Sequence, residues 1–244
     1  MFLRSISFLR EDTCLDGDYP FSIPAIMGLE TLSFSSNVTF FVGENGTGKS
    51  TLLEAIAYCC NFNTAGGGRN NTYEVTSSEA ILGKYLRLSW APKVTNGFFL
   101  RAESFFNFAT HIDDMRNDPG TYIPYGGKSL HKQSHGESFF SLFTNRFKGK
   151  GIYLLDEPEA ALSPTRQLGL LQIMHEMEGQ AQFIIATHSP IIMAYPGAQI
   201  LSFDSSPIEE IQYEETAHYI ITKGFLDNKE LYLRKLFYED GSIS

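Results

Sequence analysis

The sequence predicts an α/β fold: a mainly parallel sheet flanked by helices, with an N-terminal antiparallel β region and a small helical lobe. Three observations predict it. Strand-length apolar runs alternate with helix-length segments through most of the chain. One strand passes through a glycine-rich loop straight into a helix. Two later apolar runs end abruptly in polar groups, Asp156 with Glu157 and then His188. Open parallel sheets gather ligand groups at their strand carboxyl ends in this way.

The elements follow in order. Residues 2–10, FLRSISFLR, alternate apolar and polar as a half-buried strand does. YPFSIPAI, residues 19–26, carries two prolines and reads as an edge or loop. VTFFV predicts a buried strand, and STLLEAIAYCC, residues 50–60, a helix. NTAGGGRNNT is a loop of small and polar residues. Residues 78–92 fit helix or strand equally. GFFLRAESFF, residues 97–106, reads as a strand running into a loop. Residues 107–132 are polar and rich in glycine and proline, which places a small, partly helical lobe there. GESFFSLFTNRF has helical spacing. Then come strand (GIYLLDE), helix (SPTRQLGLLQIMHEME), strand (AQFIIATHSP), strand (AQILSFD) and a terminal amphipathic helix, NKELYLRKLFYED. No internal repeat or heptad run is present.

Length and composition bound the function. A chain of 244 residues suits one large α/β domain, able to bury a sizeable core. A net charge of -9 gives no global basic footprint for nucleic acid, although a local patch is left open. Cys14, Cys59 and Cys60 show no CxxC spacing, which fits a reducing cytosol. No signal-peptide core and no run of roughly 18 apolar residues is present, so the chain reads as soluble and cytoplasmic, without direct membrane insertion.

GENGTGKS, residues 43–50, satisfies G-x-x-x-x-G-K-[ST] in full, between a strand and a helix. Gly43, Gly46 and Gly48 let the backbone wrap and turn N–H groups inward. The helix N-terminus adds partial positive charge. Lys49 reaches the β- and γ-phosphates of a nucleotide, and Ser50 ligates Mg²⁺. Asn45, Thr47 and Thr51 complete the predicted ATP-binding set. A Mg-nucleotide site then needs a strand-end acid for the metal and a group that orients water. Asp156 fits the first task and Glu157 the second. His188, at the end of its own buried strand, is placed to bond the γ-phosphate and sense its loss.

GENGTGKST, LLDEP and ATHSP together resemble the ABC-type ATPase superfamily. QSHGES stands between the two Walker motifs, where that superfamily carries its signature loop. The resemblance assigns Ser134 and Gly136 the signature roles, with His135 and Glu137 departing from the common Gly and Gln. YPFSIPAI, FFLRAESFFN and LLDEPEAALSP narrow it to small stand-alone ATPases related to SMC-like and RecF-like DNA-repair proteins. What that resemblance implies is one ATPase domain over residues 1–244, with a signature-bearing lobe at 104–140, that dimerises around two nucleotides. Ser134 and Gly136 of one subunit would then contact the γ-phosphate held by the other. Transporter cassettes carry a glutamine at the strand-to-lobe junction. Here Glu103 stands at about that place as a candidate metal ligand, with Asn107 as its rival. Tyr19 and Phe21 are both candidates for stacking on adenine.

The expected function is Mg-dependent ATP binding and hydrolysis, with ATP-induced dimerisation acting as a switch or motor. Its partner would be a DNA-processing protein or another effector, and nucleic acid is left open. The alternative is the nucleotide-binding subunit of an ABC transporter.

Overall fold

A computed structural model describes residues 1–9, 18–64, 66–68, 81–103, 110, 135–146 and 149–238. The chain first builds a small antiparallel sheet. β1 (Leu3–Phe8) is its centre, between β2 (Thr31–Ser33) and β4 (Leu86–Trp90). Strict alternation would not bury both Leu3 and Ile6, yet both are fully buried. A register shift against β4 between Leu3 and Ser5 reconciles them, because one extra residue turns the strand's apolar side over.

The second sheet has six strands in the order β5-β6-β7-β3-β8-β9. These are β5 (Gly97–Arg101), β6 (Gly151–Asp156), β7 (Ala181–Ala186), β3 (Val38–Val42), β8 (Gln199–Ser202) and β9 (Glu209–Glu210). All pairs are parallel except β8 with β9. Strands β3, β6, β7 and β8 are buried along their whole length, which is why they read as continuous apolar runs.

Each face of this sheet carries its own core. Phe40, Tyr153 and Phe183 face helices α3 (His135–Arg146), α4 (Pro164–Glu176) and α5 (Pro190–Met193). Phe41, Leu154 and Ile184 face α2 (Lys49–Cys59) and the small sheet, through Leu52, Leu53 and Leu3. Gln182 of β7 locks the two sheets together. Its Oε1 accepts the backbone N–H groups of Phe2 and Leu3, each at 2.8 Å, and its Nε2 donates to the Leu3 carbonyl at 3.0 Å. A fully buried amide thus replaces the backbone partners that β1 lacks at its start.

The predicted strands and helices are present wherever they fall on described residues. The ambiguous stretch 78–92 resolves as a 3₁₀ turn, Leu82–Tyr85, followed by β4. YPFSIPAI is not wholly loop: α1 (Pro24–Met27) forms in it, with Pro24 in the first helical turn, where a missing N–H costs nothing. Helix α6 (Ala217–Asp227) lies between β9 and α7 (Lys229–Tyr238) and has no counterpart in the sequence reading. Its apolar residues give no buried stripe, since Ile220, Ile221 and Leu226 are all exposed. It also carries Gly224, a poor helix former. That glycine is needed because a Cβ there would meet the Tyr232 hydroxyl of α7 at 2.3 Å. Residues 104–109 and 111–134, most of the expected lobe, lie outside the described residues, and α3 crosses its expected boundary at 140.

Among the described residues no helix is long and apolar enough to cross a membrane. Among the described residues Cys59 and Cys60 form no disulfide, and Cys14 lies outside the described residues.

Candidate functional site

Sheet register builds the site. Arg101 pairs with Asp156, Asp156 with Ala186, and Ala186 with Phe41, so the ends of β5, β6, β7 and β3 lie in one row. One or two residues past that row come Glu157, then Thr187 and His188, then the loop at Gly43. Because β7 lies between β6 and β3, His188 emerges between the paired acids and the glycine loop.

The loop has the backbone its glycines permit. Gly43, Gly46 and Gly48 sit at φ +139°, +82° and +100°. At Gly48 space is short as well, since a Cβ would meet the Ile23 methyl at 3.0 Å. Lys49 opens α2, is only 4% exposed, and donates from Nζ to the carbonyls of Gly43 and Glu44, both at 2.7 Å. Burial lowers its pKa, against the pull of Glu157, Asp204 and Asp156. Asp204, just past β8, accepts the Glu44 N–H at 2.7 Å and braces the loop from outside.

Beside the lysine, the Ser50 hydroxyl donates to Asp156 Oδ1 at 2.9 Å. Asp156 is 4% exposed, and burial raises its pKa from 3.8 to about 6, although Ser50 and Arg101 both favour the anion. Arg101 lies against three carboxylates: Glu54 at 2.6 Å, Glu103 at 3.0 Å and Asp156 at 3.6 Å. Glu103 therefore stands at the rim, 81% exposed at its side chain, with Arg101 between it and the metal-type pair. Asn107 and Ser134 lie outside the described residues, and Gly136 is in the first turn of α3.

Glu157 breaks β6 with a left-handed backbone, φ +48° and ψ +53°, a conformation that costs a non-glycine residue about 1–3 kcal/mol. It lines two adjoining clefts together with Ser50. One, about 240 Å³, also holds Arg101, Glu103 and Asp156. The other, about 150 Å³, runs past Lys49, Gly46, Asn45 and Thr51 to Tyr19. Tyr19 is exposed at that mouth, 3.1 Å from the Thr51 hydroxyl. Phe21 instead packs edge-on against Tyr85 and Phe8.

His188 is held on three sides. Its N–H donates to Glu159 Oε1 at 2.5 Å, and the Thr187 hydroxyl donates to Glu159 Oε2 at 2.8 Å. Its Nδ1 lies 2.7 Å from Nε2 of His218, at the start of α6. Its Nε2 is buried without a hydrogen-bond partner among the described residues, with Glu157 Oε1 at 3.7 Å. Burial, then Lys49 and His218, lowers the His188 pKa, so the ring is neutral near pH 7.

These residues fit a magnesium nucleotide. A curled loop with a lysine already bonding oxygen atoms offers a phosphate cradle. A hydroxyl and a carboxylate in contact offer a hard cation two oxygen ligands. The described residues include no cluster of three or more His, Cys, Asp or Glu able to hold a metal by themselves, so phosphate and water would complete such a shell.

Four contributors escaped the sequence reading: Arg101, Glu159, Asp204 and His218. Glu159 was within reach, as a third acid in DEPEA. The others depend on pairings between distant segments and leave no local mark.

Two family models match the chain, "AAA domain" over residues 23–107 and "AAA domain, putative AbiEii toxin, Type IV TA system" over residues 139–194. The first holds the glycine loop, the second the acids and His188. No curated protein sequence matches. Solved structures match over nearly the whole length. A nucleotide-free ATP-binding cassette from an ABC transporter is 15% identical, with TM-score 0.50, covering 95% of this chain and 99% of that one. An inward-facing transporter of the metal-chelate ABC type is 14% identical, with TM-score 0.51, covering 91% and 88%. The SMC head domain from Thermotoga maritima is 16% identical, with TM-score 0.45, covering 87% and 100%. Family models and fold agree: two stretches of the chain match AAA-domain models, and its fold is that of ATP-binding cassettes.

Proposed function

We propose that this chain binds Mg-ATP, hydrolyses it, and uses ATP to draw two copies together as a switch for an effector partner. The observation that carries the reading is the aligned row of strand ends: Lys49, Ser50, Asp156 and Glu157 line two adjoining clefts, and His188 stands beside Glu157 at 3.7 Å. Lys49 would exchange its loop carbonyls for the β- and γ-phosphates. Ser50 and Asp156 would hold Mg²⁺, which when bound supplies charge neutralisation across the phosphates. Glu157 accepts the proton of the attacking water, and His188 donates from Nε2 to the γ-phosphate. Tyr19, at the far mouth of the cleft, is better placed than Phe21 to stack on the base.

We also read residues 1–244 as one domain, cytoplasmic in location, with the lobe at 104–140. There Ser134 and Gly136 reach the γ-phosphate of the second copy. The family resemblance supports this dimer. A toxin–antitoxin system appears in the description of one matching family model, which supports an effector partner of that class.

The test is nucleotide binding. Lys49→Ala should lose tight Mg-ATP binding by calorimetry, and unchanged affinity would refute the phosphate-loop assignment. Light scattering should show the parent dimerising with a slowly hydrolysed ATP analogue and Ser134→Arg remaining monomeric. A monomer under all conditions would overturn the dimer. Stable copurification with a membrane protein would favour the transporter subunit instead.

A further inference from the structure

The His188–His218 contact is the strongest feature that the proposed function leaves unused. His188 Nδ1 and His218 Nε2 are 2.7 Å apart, with ring centroids at 4.7 Å and the planes at 64°. Both rings have lowered pKa values, with burial as the main cause, so a pair of neutral imidazoles shares one proton across that contact. Either His188 donates from Nδ1 or His218 donates from Nε2.

The surroundings choose between the two. If His188 donated from Nδ1, its buried Nε2 would be a bare lone pair facing Glu157 Oε1 at 3.7 Å, acceptor against acceptor. If His218 donates, the His188 proton sits on Nε2, directed toward that carboxylate. Glu44, Lys49 and Asp204 are the other charged groups acting on the pair. Among them Glu44 raises the pKa of both rings and Asp204 that of His218, while Lys49 lowers both.

His218 is also fixed in place. Thr216, 1% exposed, caps α6 by accepting the Tyr219 N–H at 3.3 Å and donates to the Tyr213 carbonyl at 2.8 Å. The Tyr213 hydroxyl in turn donates to the Pro190 carbonyl at 2.9 Å, next to the strand end that carries His188. The first turn of α6 is thus tied to the segment it serves.

We propose that His218 is a positioning residue for the γ-phosphate contact: it donates Nε2–H to His188 Nδ1 and so holds the His188 proton on Nε2, the atom beside Glu157 that would donate to the γ-phosphate. This rests on the reading of His188 as the γ-phosphate donor. A phosphate oxygen only accepts, so His188 is useful there in one tautomer alone, and α6 sets it.

The experiment uses the full chain labelled with ¹⁵N-histidine, with His188→Gln to assign the signals. The parent should show His188 protonated at Nε2 and bare at Nδ1. His218→Gln keeps an N–H donor and should preserve that tautomer. His218→Glu presents only an acceptor and should move the proton to Nδ1. Calorimetry with Mg²⁺ and either AMP-PNP or ADP gives the second readout, with ADP affinity showing that each variant is folded. His218→Glu should weaken AMP-PNP about tenfold to a hundredfold, the range for a hydrogen bond to a charged group, with ADP unchanged and His218→Gln near the parent. A parent His188 protonated at Nδ1, or a His218→Glu variant with the parental tautomer and AMP-PNP affinity, overturns the proposal. If the tautomers shift as expected but His188→Gln binds AMP-PNP like the parent, the γ-phosphate role of His188 fails while His218's control of the proton stands.

Discussion

Asp156→Asn should make the nucleotide-free protein more stable while spoiling its response to Mg-ATP. The reason is the cost of holding that carboxylate in place before a metal arrives. Asp156 is 4% exposed and its pKa is raised from 3.8 to about 6, chiefly by burial. The folded protein therefore holds the proton more tightly than the unfolded chain, and the penalty grows as pH rises from the unfolded value through the folded one. At pH 8 both states are ionised and the full cost applies, about 3 kcal/mol at about 1.4 kcal/mol per tenfold change in proton affinity. At pH 5 about half remains, and well below pH 3.8 it is gone. Asparagine removes the charge and still offers Ser50 an acceptor, while Arg101 keeps Glu54 and Glu103. Urea unfolding at pH 8 should place the variant midpoint up to about 1 M above the parent, with the gap closing toward pH 5. Added Mg-ATP should stabilise the parent by mass action and leave the variant nearly unmoved. A variant less stable than the parent at pH 8, or a gap independent of pH, would show that Ser50 and Arg101 repay the burial of the charge and would refute the reasoning.

Three further outcomes follow from the geometry. Glu157→Gln should still bind Mg-ATP but slow turnover by about 10² to 10⁴, the usual cost of losing a positioned base, and parental turnover would move that role elsewhere. Gly48→Ala should lower stability by about 1–2 kcal/mol, since φ is +100° and the Ile23 methyl stands at 3.0 Å, and should impair ATP binding in parallel, measured by thermal unfolding and calorimetry. Gln182→Ala should cost about 2–4 kcal/mol in urea unfolding by leaving the Phe2 and Leu3 N–H groups unpaired in the core, with nucleotide affinity little changed.

The sequence by itself determined the parts whose chemistry is local. A phosphate loop is written in consecutive residues because its own backbone makes the cradle, and the tight turns at Gly43, Gly46 and Gly48 must be coded where they occur. Buried strands show as apolar runs, so the polar groups that end them, Asp156, Glu157 and His188, stand out without any coordinates. Helix α6 gave no such sign: Ile220, Ile221 and Leu226 are exposed rather than buried, and Gly224, a poor helix former, is there for a neighbouring tyrosine. Only the tertiary structure decided the order β6-β7-β3, which sets His188 between the acids and the loop, and the register that lays Arg101 against Asp156. It alone brought Asp204 to the loop, Glu159 under Thr187 and His188, and His218 to the His188 ring. Those contacts join residues far apart in the chain, or separated by a whole βα unit. Their partners are chosen by strand pairing and helix docking, which no short window of sequence contains.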